Sequence, residues 1–438
     1  MGFFYFYTME QHLYDLFLNS SGICTDTRSI EKNSLFICIK GENFDGNTFS
    51  ENALIAGASH VIADNPTYFT DKNKMTLVED SVTFLQQLAN HHRKQFTIPV
   101  IGITGSNGKT TSKELINTVL SKKYNVLATQ GNLNNHLGVP FTLLRLNKNH
   151  EIAIIEMGAN KFKDIKELCD IAEPNYGIIT NIGKAHLEGF GDFEGVKKTK
   201  KELYDAIEKS NGKLIVNLDD EILTSILPKS ISTRTYGTQV QADIYGELES
   251  LSPFVEMNWS NANYKSSSLQ TQMIGKYNFY NYLAAAAFGI EFEVTPEKIS
   301  EAIKEYTPTN NRSQVKKTKL NTLILDCYNA NPTSMKSALE SFALIENENK
   351  LFIIGDMKEL GKETFSEHQK VINQVESLGL TGYTVGKEFS QFNSTAVLGN
   401  FESNQSIKNK FNNAPIAGKL ILLKGSRSIG LEILEEVL

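Results

Sequence analysis

From residue 98 to about 310 the chain alternates between two textures. Short, nearly uninterrupted apolar runs (IPVIGIT, YNVLAT, EIAIIEMG, NYGIITNIG, KLIVNLD) are separated by segments with the three-to-four spacing of helices, such as DIKELCDIA. A short strand that is apolar on both faces belongs in a parallel sheet covered on both sides. The segments DIYGELES, PFVEMNW and YKSSSLQTQMI then read as antiparallel strands, and NFYNYLAAAAFGI reads as a helix.

The alternation restarts at about residue 311, with LNTLILD, KLFIIGD, GYTVG and KLILLKG as strands and PTSMKSALESFALIE as one of the helices. These strands end on Asp326, Asp356, Lys387, and Lys424 with Ser426 and Arg427. In open α/β sheets, ligands bind beyond the carboxyl ends of strands. The first 97 residues are mixed: SLFICIKG and ASHVIAD read as strands, ENALIAGA and SVTFLQQLANHHRKQF as helices. The expected fold is therefore α/β with three domains. They are a small mixed domain (1–97), a central P-loop-type parallel-sheet domain (98–310) and a Rossmann-like doubly wound domain (311–438). A length of 438 residues suits about three domains of roughly 150 residues.

Composition narrows the partners. A formal net charge of −6 argues against a dedicated nucleic-acid binder, which is usually basic. The four cysteines Cys24, Cys38, Cys169 and Cys327 form no C-x-x-C pair and lie in or beside apolar runs, as buried reduced thiols of a cytoplasmic protein do. The opening MGFFYFYTME is too short to span a bilayer and has no cleavage-site pattern, and Met9 is a second candidate start. No stable membrane insertion is expected.

Chemistry concentrates at a few points. In IPVIGITGSNGKTTSKE a buried strand leads through a glycine-rich turn into a helix. That order turns the backbone N–H groups of Ser106, Asn107, Gly108, Lys109 and Thr110 toward an anion at the positive end of a helix dipole. Gly105 and Gly108 allow close approach, Lys109 adds charge, and the Thr110 hydroxyl, with Thr111 beside it, suits a magnesium-bound phosphate. The common G-x-x-x-x-G-K-[ST] spacing would need glycine at Ile103, so the loop is short.

Glu156 ends a buried strand, where a carboxylate is costly unless paired or metal-bound. It is a candidate magnesium ligand or a satisfied structural acid. His186, in TNIGKAHLEGFG, lies beyond the same expected sheet edge. Asn132, Asn134 and Asn135 crowd one loop, as a turn or as recognition of substrate amides. KKTKKELY (197–204) alone reads as a solvated basic helix face.

Together these strings resemble one family, the ATP-dependent muramyl peptide ligases of peptidoglycan synthesis, to which folylpolyglutamate synthase is related. TGSNGKTT resembles its phosphate loop, EMGA and TNIGKAHLEGFG its acidic and histidine motifs, and GKYNFYNYLAAAAF its adenine-contact helix. NNR, LDCYNANPTSM, GDMKELG and LLKGSRS are similar to its C-terminal domain. TDTRSIEKNSLFICIKGENFDGNTF resembles its uridine-nucleotide domain, which implies substrate contacts from Thr27 and Arg28. GNLNNHLGVP, EMGA, DCYNANP and GDMKELG resemble the branch that joins D-alanyl-D-alanine to a UDP-N-acetylmuramoyl-tripeptide.

The resemblance implies a monomeric ligase that uses ATP and two magnesium ions. Lys109, His186 and Lys200 would be catalytic, with ATP held by residues 105–111, Asn278, Asn281, Arg312 and Asp326. Thr110 and Glu156 would hold one ion, and His186 and a carbamylated Lys200 the other. Lys198 and Lys201 would be bystanders. Asn132, Asn134, Asn135, Lys424, Ser426 and Arg427 would line the peptide substrates. Two departures stand out: Tyr277 where a histidine is common, and His136 where an acid is common. A P-loop hydrolase or switch, another ligase of the family, and a silent assembly module remain as alternative readings.

Overall fold

The uninterrupted apolar runs become strands. The computed structural model describes residues 9–438, so the residues before Met9, including most of the aromatic opening, lie outside the description. The chain packs as two compact units. The first holds the described chain up to Gly102 with Asn125–Gly158 and Asp164–Asn175, and the second holds Ile103–Tyr124, Ala159–Lys163 and Tyr176–Leu438.

In the first unit, β1 (Ile23–Cys24), β2 (Leu35–Ile37), β3 (His60–Ala63) and β4 (Met75–Leu77) form a parallel sheet in that order. Phe36, Cys38, Val61 and Met75 lie in its core, each large apolar side chain contributing about 1.5–3 kcal/mol by leaving water. β5 (Val100–Thr104) starts in this unit and ends in the second. β6 (Val126–Ala128) pairs in parallel with β7 (Ile152–Glu156).

Helix Ser81–Arg93, capped by the Asp80 carboxylate on the Thr83 N–H, buries a polar seam. Asn90 Nδ2 donates to the Asp170 and Ile171 carbonyls at 3.1 and 3.0 Å, and Arg93 Nε to that of Ala172 at 3.1 Å. These are terminal carbonyls of helix Asp164–Ala172, which have no partner within their own helix. Gln86 Nε2 adds a 2.7 Å bond to Glu167.

In the second unit, β8 (Tyr176–Ile179), β9 (Lys213–Asn217), β10 (Ser232–Gly237) and β11 (Ile244–Ser250) continue a parallel sheet. β12 (Glu256–Asn261) returns antiparallel, with the short β13 (Tyr264–Lys265) and β14 (Leu269–Gln270) paired to it. The apolar pattern does not reveal β10, whose first residues are polar and exposed while only Tyr236 and Gly237 are buried.

The second sheet of this unit contains β15 (Gln314–Lys317), β16 (Thr322–Leu325), β17 (Lys350–Gly355), β18 (Gly382–Val385), β19 (Val397–Phe401) and β20 (Leu420–Lys424). Their order is β15-β16-β20-β17-β18-β19. All neighbours are parallel except the β15–β16 hairpin. β20 therefore lies between β16 and β17, so Asp326, Lys424 and Asp356 end three adjacent strands. All four cysteines are buried and free, as expected. No helix among the described residues is long and apolar enough to cross a membrane.

Candidate active site

The glycine-rich turn begins only after β5 is complete. Ile103 is a fully buried strand residue, so the position where the longer loop has glycine belongs here to the sheet. Gly105 has φ 147°, and a Cβ there would sit 2.0 Å from Thr180 Oγ1. Gly108 has φ 80°, and a Cβ there would sit 3.1 Å from Asn281 Oδ1. Both therefore require glycine, the first for space and backbone together.

The loop is sewn to the end of β8. Ser106 N–H donates to the Asn181 carbonyl at 3.0 Å, and Ser106 Oγ exchanges 2.9 Å bonds with the backbone of Gly183. Asn107 N–H donates to Asn181 Oδ1 at 3.1 Å. The Asn107 carbonyl accepts from Thr180 Oγ1 at 2.5 Å and from Asn181 Nδ2 at 2.9 Å. With its carbonyls turned inward, the loop leads into helix Lys109–Leu120, on which Thr110 and Thr111 are buried. Lys109 Nζ folds over the loop, donating to the Gly105 carbonyl at 2.7 Å.

The asparagines expected to contact adenine have inward partners. Asn278 is 1 % exposed and donates to the Ile274 carbonyl at 2.7 Å. Asn281 Nδ2 donates to Asn278 Oδ1 at 2.9 Å, and its Oδ1 accepts from Ser112 Oγ at 3.0 Å. These amides tie helix Lys276–Glu291 to the helix that follows the loop. Tyr277, the departure, shares a 2.8 Å hydroxyl bond with Ser313, and burial with the nearby Asp326 pushes its phenol well up.

Further contacts join the loop region to the second sheet of this unit. Asn331, N-cap of helix Pro332–Ala343, accepts from Ser334 N–H through Oδ1 at 2.9 Å and donates Nδ2–H to Asn107 Oδ1 at 2.8 Å. Lys184 N–H donates to Thr333 Oγ1 at 3.1 Å, and its ammonium meets Glu363 and Glu367. His186 donates through Nδ1 to the Glu359 carboxylate. Both residues hold left-handed backbone, φ 51° and 62°, which is uncommon for side chains of their size. The bond to His186 holds the Glu359 carboxyl below the ordinary range.

Asp326 forms a 2.6 Å ion pair with Lys424, which is 2 % exposed. The Asp326 carboxylate also accepts from Ser313 N–H at 3.2 Å. Burial pushes the neighbouring Cys327 thiol up to about 12, leaving it protonated and unreactive. Ser426 Oγ accepts from Lys358 N–H at 3.0 Å. Arg312 and Arg427 both lie against the Tyr328 ring. His368, fully buried and with its pKa lowered by burial, stays neutral. It donates from Nδ1 to the Thr364 carbonyl at 2.7 Å and accepts the Met357 N–H at Nε2, which fixes the GDMKELG turn.

Lys200 lies on helix Phe193–Lys209, 2 % exposed, with Nζ 3.4 Å from Thr104 Oγ1 at the end of β5. In the first unit, Glu156 is 1 % exposed and accepts from Asn134 Nδ2 at 2.8 Å. Asn135 Oδ1 accepts the N–H groups of Leu137 and Gly138 and so starts helix Gly138–Leu143. Asn132 and His136 are not buried. Thr27 sits in a short turn whose cap, Asp26, pairs with the exposed Arg28 at 2.7 Å.

Sequence reasoning takes only Asp326 from DCYNANP and, from GDMKELG, only Asp356 as a strand end. It thereby misses Tyr328, Asn331, Glu359 and His368. Tyr328, Asn331 and Glu359 lie within the motif strings and His368 outside them, but which side chain of a string is partnered depends on contacts 99 to 224 residues apart in the chain.

Family models match most of the chain. "Mur ligase family, catalytic domain" matches residues 19–93, "Mur ligase middle domain" 103–289, and "Mur ligase, glutamate ligase domain" 311–427. The UDP-N-acetylmuramoyl-tripeptide–D-alanyl-D-alanine ligase of Bacillus subtilis is 36 % identical over 94 % of this chain and 91 % of its own. The protein of that name from Escherichia coli is 30 % identical over 94 % of this chain and 92 % of its own. Among solved structures, MurF from Acinetobacter baumannii superposes with a TM-score of 0.87 at 30 % identity, covering 97 % of each chain. A MurF ligase from Thermotoga maritima, solved in complex with ADP, gives 0.86 at 26 % identity over 97 % of each chain.

Proposed function

The chain belongs to the Mur ligase family, and on that premise we propose that it joins D-alanyl-D-alanine to a UDP-N-acetylmuramoyl-tripeptide at the expense of ATP. The observation that carries this reading is the short phosphate loop, locked by Thr180 and Asn181 and bonded through Asn107 to Asn331 of the DCYNANP string. We assign residues 1–97 to the uridine nucleotide, 98–310 to ATP and 311–438 to ATP and the incoming amine. We place the enzyme in the cytoplasm, as a monomer.

The chemistry is phosphoryl transfer followed by acyl transfer. The terminal carboxylate oxygen of the tripeptide attacks the γ-phosphorus, the bond to the β–γ bridging oxygen breaks, and ADP departs. The amine of D-alanyl-D-alanine then attacks the acyl carbon. The C–N bond forms, the bond to the phosphate oxygen breaks, and one proton is released. Little covalent chemistry is asked of the protein in the first step, so positioning and charge dominate.

The N–H groups of Gly108, Lys109 and Thr110 and the Lys109 ammonium receive the phosphates, whereas those of Ser106 and Asn107, expected from the sequence to do so, are bonded to Asn181. Asn278 and Asn281 act by holding the helix that presents Lys109 and Thr110. Arg312 and Asp326 serve ATP from the second sheet, while Lys424, Ser426 and Arg427 face the dipeptide. Thr27, Arg28, Asn132, Asn134 and Asn135 serve the tripeptide nucleotide, Asn134 while also orienting Glu156.

The donor chemistry fits magnesium. Thr110, in the second unit, and Glu156, in the first, each carry an oxygen donor of the type this ion prefers. His186 is oriented by Glu359, as metal-binding histidines commonly are by a carboxylate. Lys200 fits only as a carbamate, because an ammonium has no lone pair to donate. When bound, magnesium neutralises charge on the transferred phosphoryl oxygens. Replacing Lys109 by alanine is expected to abolish ADP formation from ATP, tripeptide nucleotide and dipeptide; normal turnover by this variant refutes the ATP assignment.

A further inference from the structure

Two arginines share one aromatic ring. Arg312 Cζ lies 3.9 Å from the Tyr328 ring centroid and Arg427 Cζ lies 5.2 Å from it. Arg427 also donates Nη1–H to the Tyr328 hydroxyl at 3.2 Å. Arg312 meets the ring alone, and its buried Nε has no hydrogen-bond partner among the described residues. The Arg312 backbone is set between two left-handed residues, Asn311 at φ 55° and Ser313 at φ 51°. The Ser313 N–H is held by Asp326 and its hydroxyl by Tyr277. So much local constraint around one cation marks a side chain whose placement matters.

Two like charges near one ring would otherwise repel. The negative face of an aromatic ring attracts each guanidinium and offsets that repulsion. A planar guanidinium held in place has already lost the rotamer freedom that binding an anion would cost. We propose that Tyr328 is a positioning residue for both substrates, orienting Arg312 for the ATP phosphates through its ring and Arg427 for the dipeptide carboxylate through its ring and hydroxyl. The proposal rests on the functional reading above, which gives the two arginines their ligands.

The hydroxyl and the ring separate the two roles. Tyr328→Phe keeps the ring for both arginines and removes only the Arg427 bond. It is expected to raise KM for D-alanyl-D-alanine by about 5- to 10-fold, within the range of one ordinary hydrogen bond, with KM for ATP within about 2-fold. Tyr328→Leu removes the ring and is expected to raise both. Equal effects of Tyr328→Phe on the two KM values, or no effect of Tyr328→Leu on either, overturns the proposal.

If the wild-type protein forms no amide from D-alanyl-D-alanine, the functional reading fails instead. Calorimetric titration with ATP then still decides the arginine claim. Tyr328→Leu weakens ATP binding while Tyr328→Phe leaves it unchanged if Tyr328 positions Arg312; equal weakening, or none in either variant, refutes it. Tyr328→Phe is nearly isosteric and guards against misreading a folding defect in Tyr328→Leu.

Discussion

Lys200 shows what a residue-level reading can and cannot extract. KKTKKELY looks like an ordinary basic helix face, and three of its neighbours in the string behave that way: Lys197, Lys198 and Lys201 keep side chains at least partly in water. Lys200 alone is turned inward, with its Nζ against Thr104 at the end of the strand that feeds the phosphate loop. In the proposed carbamate, addition of carbon dioxide to the neutral amine would form an N–C bond, release a proton, and leave an oxygen ligand in place of the ammonium. Lys200→Ala is therefore expected to lose about 100-fold or more in activity, at or beyond the upper end of losses seen on disturbing a metal site's supporting groups. Formate or acetate should restore part of it, and a variant as active as wild type contradicts the carbamate. Only the resemblance singles Lys200 out, because spacing alone gives all four lysines equal standing.

At the scale of elements, helix Pro332–Ala343 has one residue with two tasks. Asn331 caps the helix through Oδ1 and reaches Asn107 through Nδ2. Asn331→Asp keeps the cap, since aspartate caps as well as asparagine, but turns an acceptor toward Asn107 Oδ1. Stability should fall by about 0.5–1.5 kcal/mol, the worth of the lost Asn107 bond, and kcat/KM by about 10-fold or more as the phosphate loop loses that support. Unchanged stability and activity would make Asn331 a cap alone.

Elements differ in how legible they are. Continuous apolar runs announce β5, β7, β16, β17 and β20, because a strand buried on both faces leaves an unmistakable pattern. β10 and β19 do not announce themselves, since each mixes polar or exposed positions with buried or half-buried ones. Helix Ser81–Arg93 is legible as a helix, yet its polar seam of Gln86, Asn90 and Arg93 is not. Asn90 and Arg93 serve carbonyls, and Gln86 the Glu167 side chain, of another helix about 80 residues away in the chain, which no local periodicity can report.

At the scale of the molecule, the strings that look independent in sequence converge within the second unit. TGSNGKTT is bonded to TNIGKAHLEGFG through Ser106 and Asn107, and to DCYNANP through Asn331. TNIGKAHLEGFG meets GDMKELG through His186 and Glu359. Asp326 and Lys424, which the sequence presents as separate ATP and peptide groups, form a single ion pair. A change at either should thus be felt by both substrates. The fold class and the phosphate loop are readable because each depends on neighbours in the chain. The partnership of the loop with Asn331, and of His186 with Glu359, is not, because it depends on how two sheets of one unit are joined.

The central claim is that ATP activates a carboxylate for capture by D-alanyl-D-alanine. The most direct measurement is product formation from ATP and UDP-N-acetylmuramoyl-tripeptide with a panel of amines, each with and without magnesium. Amide product and ADP in equal amounts, with D-alanyl-D-alanine as the effective amine and only in the presence of magnesium, is the expected result. ATP hydrolysis without a carboxylate acceptor, or efficient ligation of glutamate or diaminopimelate in place of the dipeptide, would contradict it.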